Sequence, residues 1–377
     1  MKFVKFTCLF LFIFIATPFH RVAAIDLSGY VKSYPVIRDL PDNRPSLNSL
    51  STNAKLQINA DLSNTVKFES SYELSLVIEK PLFHSNSLNT YRLFDLDLYL
   101  HDKPPSNKYQ ATLLQNLNRL NFSFATEQGD LTLGRTPVAF GVSKSISPND
   151  VLTPFAFNVI DKEERTGVDS IIFKKLINSE ILLDTGLILG SDAKTENSAI
   201  YLRPKITKNQ LDLTLSVVRF KEKNSLGFEL SHPIKDAGFW IDANYLDNNK
   251  IVLKDFWRGT TGVDYKFQNS FYLALEYHYN GSSLNLSVPY PEDFIFLRDE
   301  HYVILTMSHE INPLLIFSAQ SYNNLNDDSI FLTPKLEYNL TDNSYLGLGA
   351  YLGLGNEKTT EFGRTGNTFY SSVRYYF

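Results

Sequence analysis

The chain has 377 residues, 14% of them aromatic, a formal net charge of −5 and a single cysteine, Cys8. Three of its cations, Lys2, Lys5 and Arg21, precede residue 25 and no Asp or Glu does, so a chain starting at Ile25 carries −8. That balance excludes the basic footprint of a nucleic-acid binder. Without Cys8 it also excludes disulfides, thiolate metal sites and a cysteine nucleophile.

The first 24 residues read as a signal peptide: a charged start at Lys2 and Lys5, an apolar run from Phe6 to Ala16, and small residues at Val22-Ala23-Ala24 for cleavage. The run is too short to span a bilayer, and no later stretch offers the roughly 18 apolar residues of a membrane helix. Cys8 sits inside the run and does not read as a lipid-attachment site. The remainder, 25–377, is predicted to be one unit.

In chain order, Leu27 to Val36 reads as a first strand, followed by a polar loop from Arg38 to Ser51. Ala54 to Leu62 alternates cleanly, with Ala54, Leu56, Ile58, Ala60 and Leu62 opposite Lys55, Gln57, Asn59 and Asp61. Val66 to Ile78 repeats the pattern. Charges recurring at every second residue fit no helical face. The region 79–116 resists assignment, although Phe94 to Leu100 could form a strand, and 91–100 is counted with the second external loop. Leu117–Ala125 and Leu131–Phe140 read as a hairpin. From Gly141 to Thr166 the pattern stops, and after it the hairpins become regular. They pair 167–176 with 180–190, 197–206 with 211–221, 225–232 with 239–246, 257–267 with 271–280, 300–311 with 314–322, and 329–340 with 344–353. Asn367–Phe377 closes the series on an aromatic, with Phe369, Val373, Tyr375 and Phe377 on one side.

Connections alternate between short turns and long loops, and the strands approach the roughly 9–11 residues that a tilted membrane strand requires. The predicted class is all-β: a transmembrane antiparallel up-and-down β-barrel of about 18 strands, with 16 or 20 as alternatives. Apolar sides face lipid and the opposite sides line a lumen.

The ending Tyr375-Tyr376-Phe377 resembles the assembly signal of bacterial outer-membrane barrels. The whole of 25–377 resembles porin-like Gram-negative outer-membrane barrels, including the alginate-export type. The local match is Gly134-Arg135-Thr136-Pro137, Gly141, Ser147-Pro148-Asn149-Asp150-Val151 and Arg165-Thr166-Gly167-Val168-Asp169. The resemblance implies a location in the outer membrane, contact with its lipid, and delivery by the barrel-assembly machinery through Tyr375 and Phe377. It also implies 18 strands with the loop 141–166 folded into the lumen. One departure is that alginate exporters have a strongly basic lumen, which this chain does not show.

The lumen candidates carry both signs: Lys55, Lys67, Arg203, Lys205, Arg258, Lys266, Lys335 and Arg374 against Asp61, Glu69, Glu73, Asp212, Glu229, Asp242, Asp264, Glu276 and Glu337. Rings of one sign set selectivity in pores, so this balance predicts weak charge selectivity. Ser147 to Asp150 reads as a short helix start, with Ser at the N-cap and Pro at the first helical position. Asp161-Lys162-Glu163-Glu164-Arg165 is expected to face the opening, across from Arg135, which a bulge near Gly134 would have to turn inward. The expected constriction is therefore Arg135, Asp150, Asp161, Glu163, Glu164, Arg165, Arg203, Arg258, Lys335 and Arg374.

No cofactor or metal spacing appears. The few histidines have no Ser motif beside them to serve as a nucleophile, so an outer-membrane hydrolase is the weaker rival. A structural or adhesion barrel with a plugged lumen is the other. The expected function is passive diffusion of small hydrophilic solutes.

Overall fold

The computed structural model describes residues 25–40, 46–79, 91–93, 99–101, 110–247, 255–282 and 297–377. The stretch 1–24 expected to be a signal peptide, the centre of the Phe94–Leu100 reading and most of the expected second external loop lie outside the described residues. The strands are β1 (Ile25–Asp39), β2 (Leu47–Ser63), β3 (Val66–Glu79), β4 (Gln110–Thr126), β5 (Gly129–Thr136), β6 (Val168–Leu176), β7 (Ile181–Leu189), β8 (Ala199–Lys208) and β9 (Leu211–Phe220). They continue as β10 (Lys223–Ile234), β11 (Ala237–Asp247), β12 (Phe256–Lys266), β13 (Tyr272–Asn280), β14 (His301–Asn312) and β15 (Leu315–Asn324). The last three are β16, in two pieces (Ile330–Leu332 and Lys335–Thr341), β17 (Ser344–Leu354) and β18 (Asn367–Tyr376). A three-residue spur, Tyr99–His101, pairs with β4.

Each strand pairs antiparallel with its neighbours, and β1 pairs with β18 from Tyr30↔Tyr376 to Asp39↔Asn367, so the sheet closes into an 18-stranded barrel. Closure satisfies every edge, which a membrane wall requires because lipid offers no hydrogen bonds. The seam is finished by Gly29, whose N–H donates to the Phe377 carbonyl (2.9 Å) and whose carbonyl accepts from the Phe377 N–H (3.1 Å). A side chain at Gly29 would collide with the Phe377 ring.

The side of each strand follows the alternation. Leu56, Leu74, Leu76, Leu215, Val217, Leu226, Leu275, Leu348 and Val373 are exposed on the outer face. Ala54 and Leu74 stand opposite one another in the register on that face, and Lys55 and Glu73 stand opposite on the inner one. The Tyr30 hydroxyl donates to Glu73. Polar groups inside the barrel are thereby paired across strands.

Several sequence boundaries moved. The polar loop expected over Arg38–Ser51 shrinks, because β1 runs to Asp39 and β2 starts at Leu47, with Val36 opposite Ser49. Polar Ser and Asn can occupy strand ends where no apolar cover is needed. The strand expected to reach Phe140 stops at Thr136, since Pro137 has no N–H to continue the ladder. β4 begins at Gln110 instead of Leu117 and carries an irregularity where it meets Ser71 and Tyr72. β16 breaks at Thr333-Pro334 for the same reason that β5 ends. The external ends are not all long: Lys221 and Glu222, at φ 44° and 65°, join β9 to β10 in a two-residue turn.

Candidate functional site

The stretch 137–167 joins β5 to β6. It touches inner-face side chains on both halves of the wall, and the two halves hold it differently. Over its first part, loop N–H groups donate to wall carboxylates. Gly141 donates to Glu229 (3.1 Å), Val142 to Asp242 (3.1 Å) and Lys144 to Glu276 (2.9 Å). Asp242 also accepts from the Ser147 hydroxyl (2.7 Å) and from the Asn149 amide. Wall donors return the contact: Arg258 to the Pro148 carbonyl (2.6 Å), Thr260 to that of Ile146 (3.0 Å) and Asn244 to the Asn149 side chain (2.9 Å). Gly141 adopts φ +96°, and a Cβ there would strike the Ser147 hydroxyl and Asp242. On the opposite side of this contact Gly227 leaves the space that Asn149 occupies.

Beneath these bonds an apolar cluster joins loop to wall. Val138, Phe140, Val151 and Leu152 pack with Val168, Ile172, Ile188, Tyr201, Val218 and Phe220, and Tyr91 joins them from the second external loop. A second cluster lies around Phe157, whose ring meets Tyr322, Phe331 and Phe362 at 5.4, 5.0 and 5.9 Å between centroids. These two clusters add apolar burial to the hydrogen bonds that hold the loop.

The run 161–165 then meets the seam strands. Lys32 reaches Asp161 (3.1 Å) and Glu163 (2.5 Å), Tyr34 donates to Asp161 (3.0 Å), and Lys55 pairs with Glu164. Arg374 bridges Glu163 (2.9 Å) and Glu337. Arg165 folds back on Asp150 and on the Thr153 carbonyl (2.5 Å). Burial pushes the Asp150 carboxyl up to about 6, against the pull of Arg165. Burial would also raise Glu163, but hydrogen bonds from Lys32 and Tyr376 hold it below the usual range.

Most of the residues expected at the constriction carry a partner of opposite charge. Asp161, Glu163 and Glu164 pair with wall cations, and Asp161 and Glu163 also border the larger cavity. No helix starts at Ser147: Pro148 and Asn149 form a turn, and the serine hydroxyl is taken by Asp242. Arg135 does not face the loop. It stays in register with Leu120 and Asp169, on the side of Ile171, and its guanidinium grips Asp169 at 2.7 and 2.9 Å while 3% exposed. The irregular backbone at Gly134 (φ +119°) does not carry it inward. Arg203 clasps Glu229 with two bonds of 2.9 and 3.0 Å, and Lys335 pairs with Glu337 at 2.8 Å. Arg258, 4% exposed, is committed to the loop.

Of the expected residues, Asp150 and Arg165 border one open space and Asp161, Glu163, Lys335 and Arg374 border a second. One cavity of about 260 Å³ is lined by the loop residues Phe140, Lys144, Asp150, Phe155 and Arg165 among others, and a second of about 480 Å³ lies between 159–163 and the wall of β13 to β18. Both cavities are lined by Lys162 and by Gln320. Lys162 makes no hydrogen bond or ion pair with any described residue, unlike every acid in its run. Enclosure by protein holds its ammonium below the usual lysine range. Lys32 was legible from its alternation with Val31; nothing in the local sequence separates Lys162 from its neighbours.

No family model and no curated protein matches this sequence. Solved structures match over nearly its whole length. OccAB4 of Acinetobacter baumannii is 12% identical with a TM-score of 0.61, covering 96% of this chain and 100% of that one. OccK8 (OprE) of Pseudomonas aeruginosa is 10% identical with a TM-score of 0.60, covering 94% and 98%. OpdK of Pseudomonas aeruginosa, solved with vanillate, is 12% identical with a TM-score of 0.56, covering 94% and 98%. These neighbours are outer-membrane porins, and the fold of this chain is that of an 18-stranded porin barrel.

Proposed function

We propose that the protein is an outer-membrane channel for passive diffusion of small hydrophilic solutes, narrowed by the loop 141–166. The observation that carries this reading is the pair of cavities that share Lys162 and Gln320. A plugged barrel would fill that space with side chains. Anions are modestly favoured, because the wall charges are largely spent on one another and on the loop while Lys162 is not. A small organic anion of the kind bound in the OpdK structure suits that arrangement. The finer likeness to alginate-export barrels rests on the motifs at 134–137, 147–151 and 165–169. The pairing of Lys32, Lys55 and Arg374 argues against a path for a long polyanion. In this reading the signal peptide 1–24 directs export, and Tyr375 and Phe377 engage the assembly machinery.

Planar-bilayer recording tests the proposal. The protein is expected to conduct, and replacing 149–161 by a short Gly-Ser linker is expected to raise single-channel conductance in a barrel that still assembles. A non-conducting wild type that stays closed after the replacement would favour the structural or adhesion reading. Unchanged conductance in an open channel would place the narrowing elsewhere.

A further inference from the structure

Resting on the channel reading, we infer that the wall facing Lys162 is a binding strip for polyhydroxylated solutes, neutral sugars and sugar alcohols. The strip lies on β13 to β16. Register puts Tyr272 opposite Ser308, Ser308 opposite Ser318, and Ser318 opposite Lys335, a single row across four strands. In the next row Thr306 stands opposite Gln320. These residues alternate with the exposed Leu275 and Leu336, so they belong to the inner face, and they line the cavity of about 480 Å³. That volume falls within the roughly 300–1,000 Å³ of small-molecule sites.

The chemistry of the strip is hydrogen bonding without free charge. The hydroxyls of Ser308 and Ser318 bond to no described residue, so they remain available as donors and acceptors. Gln320 is held in place: its amide donates to the Thr306 hydroxyl (2.9 Å), and its carbonyl accepts from Tyr322 (2.8 Å). One amide hydrogen and one carbonyl lone pair are left over for a solute. The charge of Lys335 is answered by Glu337 at 2.8 Å. A simple ion has little to gain from such a surface, and an apolar solute has groups to desolvate there. A polyol can satisfy several of these groups at once. Neighbouring strands lie about 4.8 Å apart, comparable with the reach across a sugar ring. From the loop side, Lys162 offers three donors to the same solute.

The test uses the full-length protein in planar bilayers, with maltose, gluconate and a polyethylene glycol of similar radius as probes. Maltose is expected to reduce the current saturably, with a half-blocking concentration comparable to that of gluconate. The polyethylene glycol is expected to act only through viscosity, without saturation. The double substitution Ser308→Ala and Ser318→Ala removes the two hydroxyls with little change in shape. It is expected to leave potassium chloride conductance intact and to raise the half-blocking concentration of maltose roughly fivefold or more, about what losing neutral hydrogen bonds implies. Block by gluconate alone would show that only the ammonium recognises solutes and would overturn the inference. So would maltose block equal in wild type and double variant. If the barrel does not conduct, the channel reading fails by itself. Saturation-transfer NMR of maltose on the detergent-solubilised barrel then reads the strip directly, and a signal that the double substitution leaves unchanged would sink it.

Discussion

Lys162 and Glu361 are the two single residues whose behaviour the structure forecasts most directly. Lys162→Glu reverses a charge that borders both cavities and is paired with no described residue, so folding should be little affected. The reversal potential across a chloride gradient should move toward cation preference. The shift should be largest near 0.1 M salt, where charges act over about 10 Å, and should shrink at 1 M. An unchanged reversal potential would remove Lys162 from the conduction path. Glu361 sits in the external loop before β18, where it accepts from the Tyr302 hydroxyl (2.5 Å) and the Arg298 N–H (2.9 Å). Burial raises its carboxyl to about 7 from an ordinary 4.5, with Asp299 and Asp327 adding to the rise. A carboxyl raised on folding stabilises the packed loop when protonated. That contribution is complete below about 4.5 and is lost as pH rises through 7. The whole span is worth at most about 3 kcal/mol. Amide exchange of residues 355–366, corrected for its intrinsic pH dependence, should therefore be slower at pH 5.5 than at pH 8. Glu361→Gln should flatten the difference.

At the scale of the strand, the alternation makes a sharp forecast for β3. Leu74 is 36% exposed on the outer face, while its neighbour Ser75 points inward opposite Asn53. Arginine at a lipid-facing site near the bilayer middle costs roughly 2–4 kcal/mol. Leu74→Arg should lower the urea midpoint of the barrel in lipid vesicles far more than Ser75→Arg. A larger loss for Ser75→Arg would mean that the two faces of β3 are reversed, and equal losses would mean that neither position faces lipid as assigned. Glu73 is a poorer comparison than Ser75, because its substitution also strips the acceptor from Tyr30. Strand facing of this kind was legible from the sequence because a period of two needs only local residues. The segment 79–116 was not, because its strand β4 is held by register with β3, a long-range pairing that its own residues do not announce.

For the molecule as a whole, the ladder between β1 and β18 closes the wall, and Phe377 extends it by two bonds. Phe377 makes both backbone bonds to Gly29 and lays its ring over that glycine. Deleting Phe377 should lower the yield of assembled, heat-modifiable barrel while leaving export across the inner membrane intact. Normal assembly of the deletion would count against the terminal strand as an assembly signal. The closed wall also explains why so many inner charges are silent. Once 18 strands surround one loop, an inner charge finds its partner either on a neighbouring strand, as Arg203 does with Glu229, or on that loop, as Lys32 does with Asp161.

The sequence by itself determined that this chain is a membrane barrel: alternation set the two faces, turn residues set the hairpins, and the aromatic ending marked the seam. Which inner residues are bound to one another and which border open space was decided only by the tertiary structure. Glu229, Asp242 and Glu276 look like pore acids in the sequence, yet they receive the loop's N–H groups. Arg135 looks like a pore cation, yet it is bound to Asp169. Lys162 looks like one charge in a mixed run, yet the acids around it pair with wall cations while it bonds to no described residue and borders both cavities. The physical reason is that a charge is spent or free according to partners on other strands or in the loop, many of them far away in sequence, and only the closed barrel brings those partners within bonding distance.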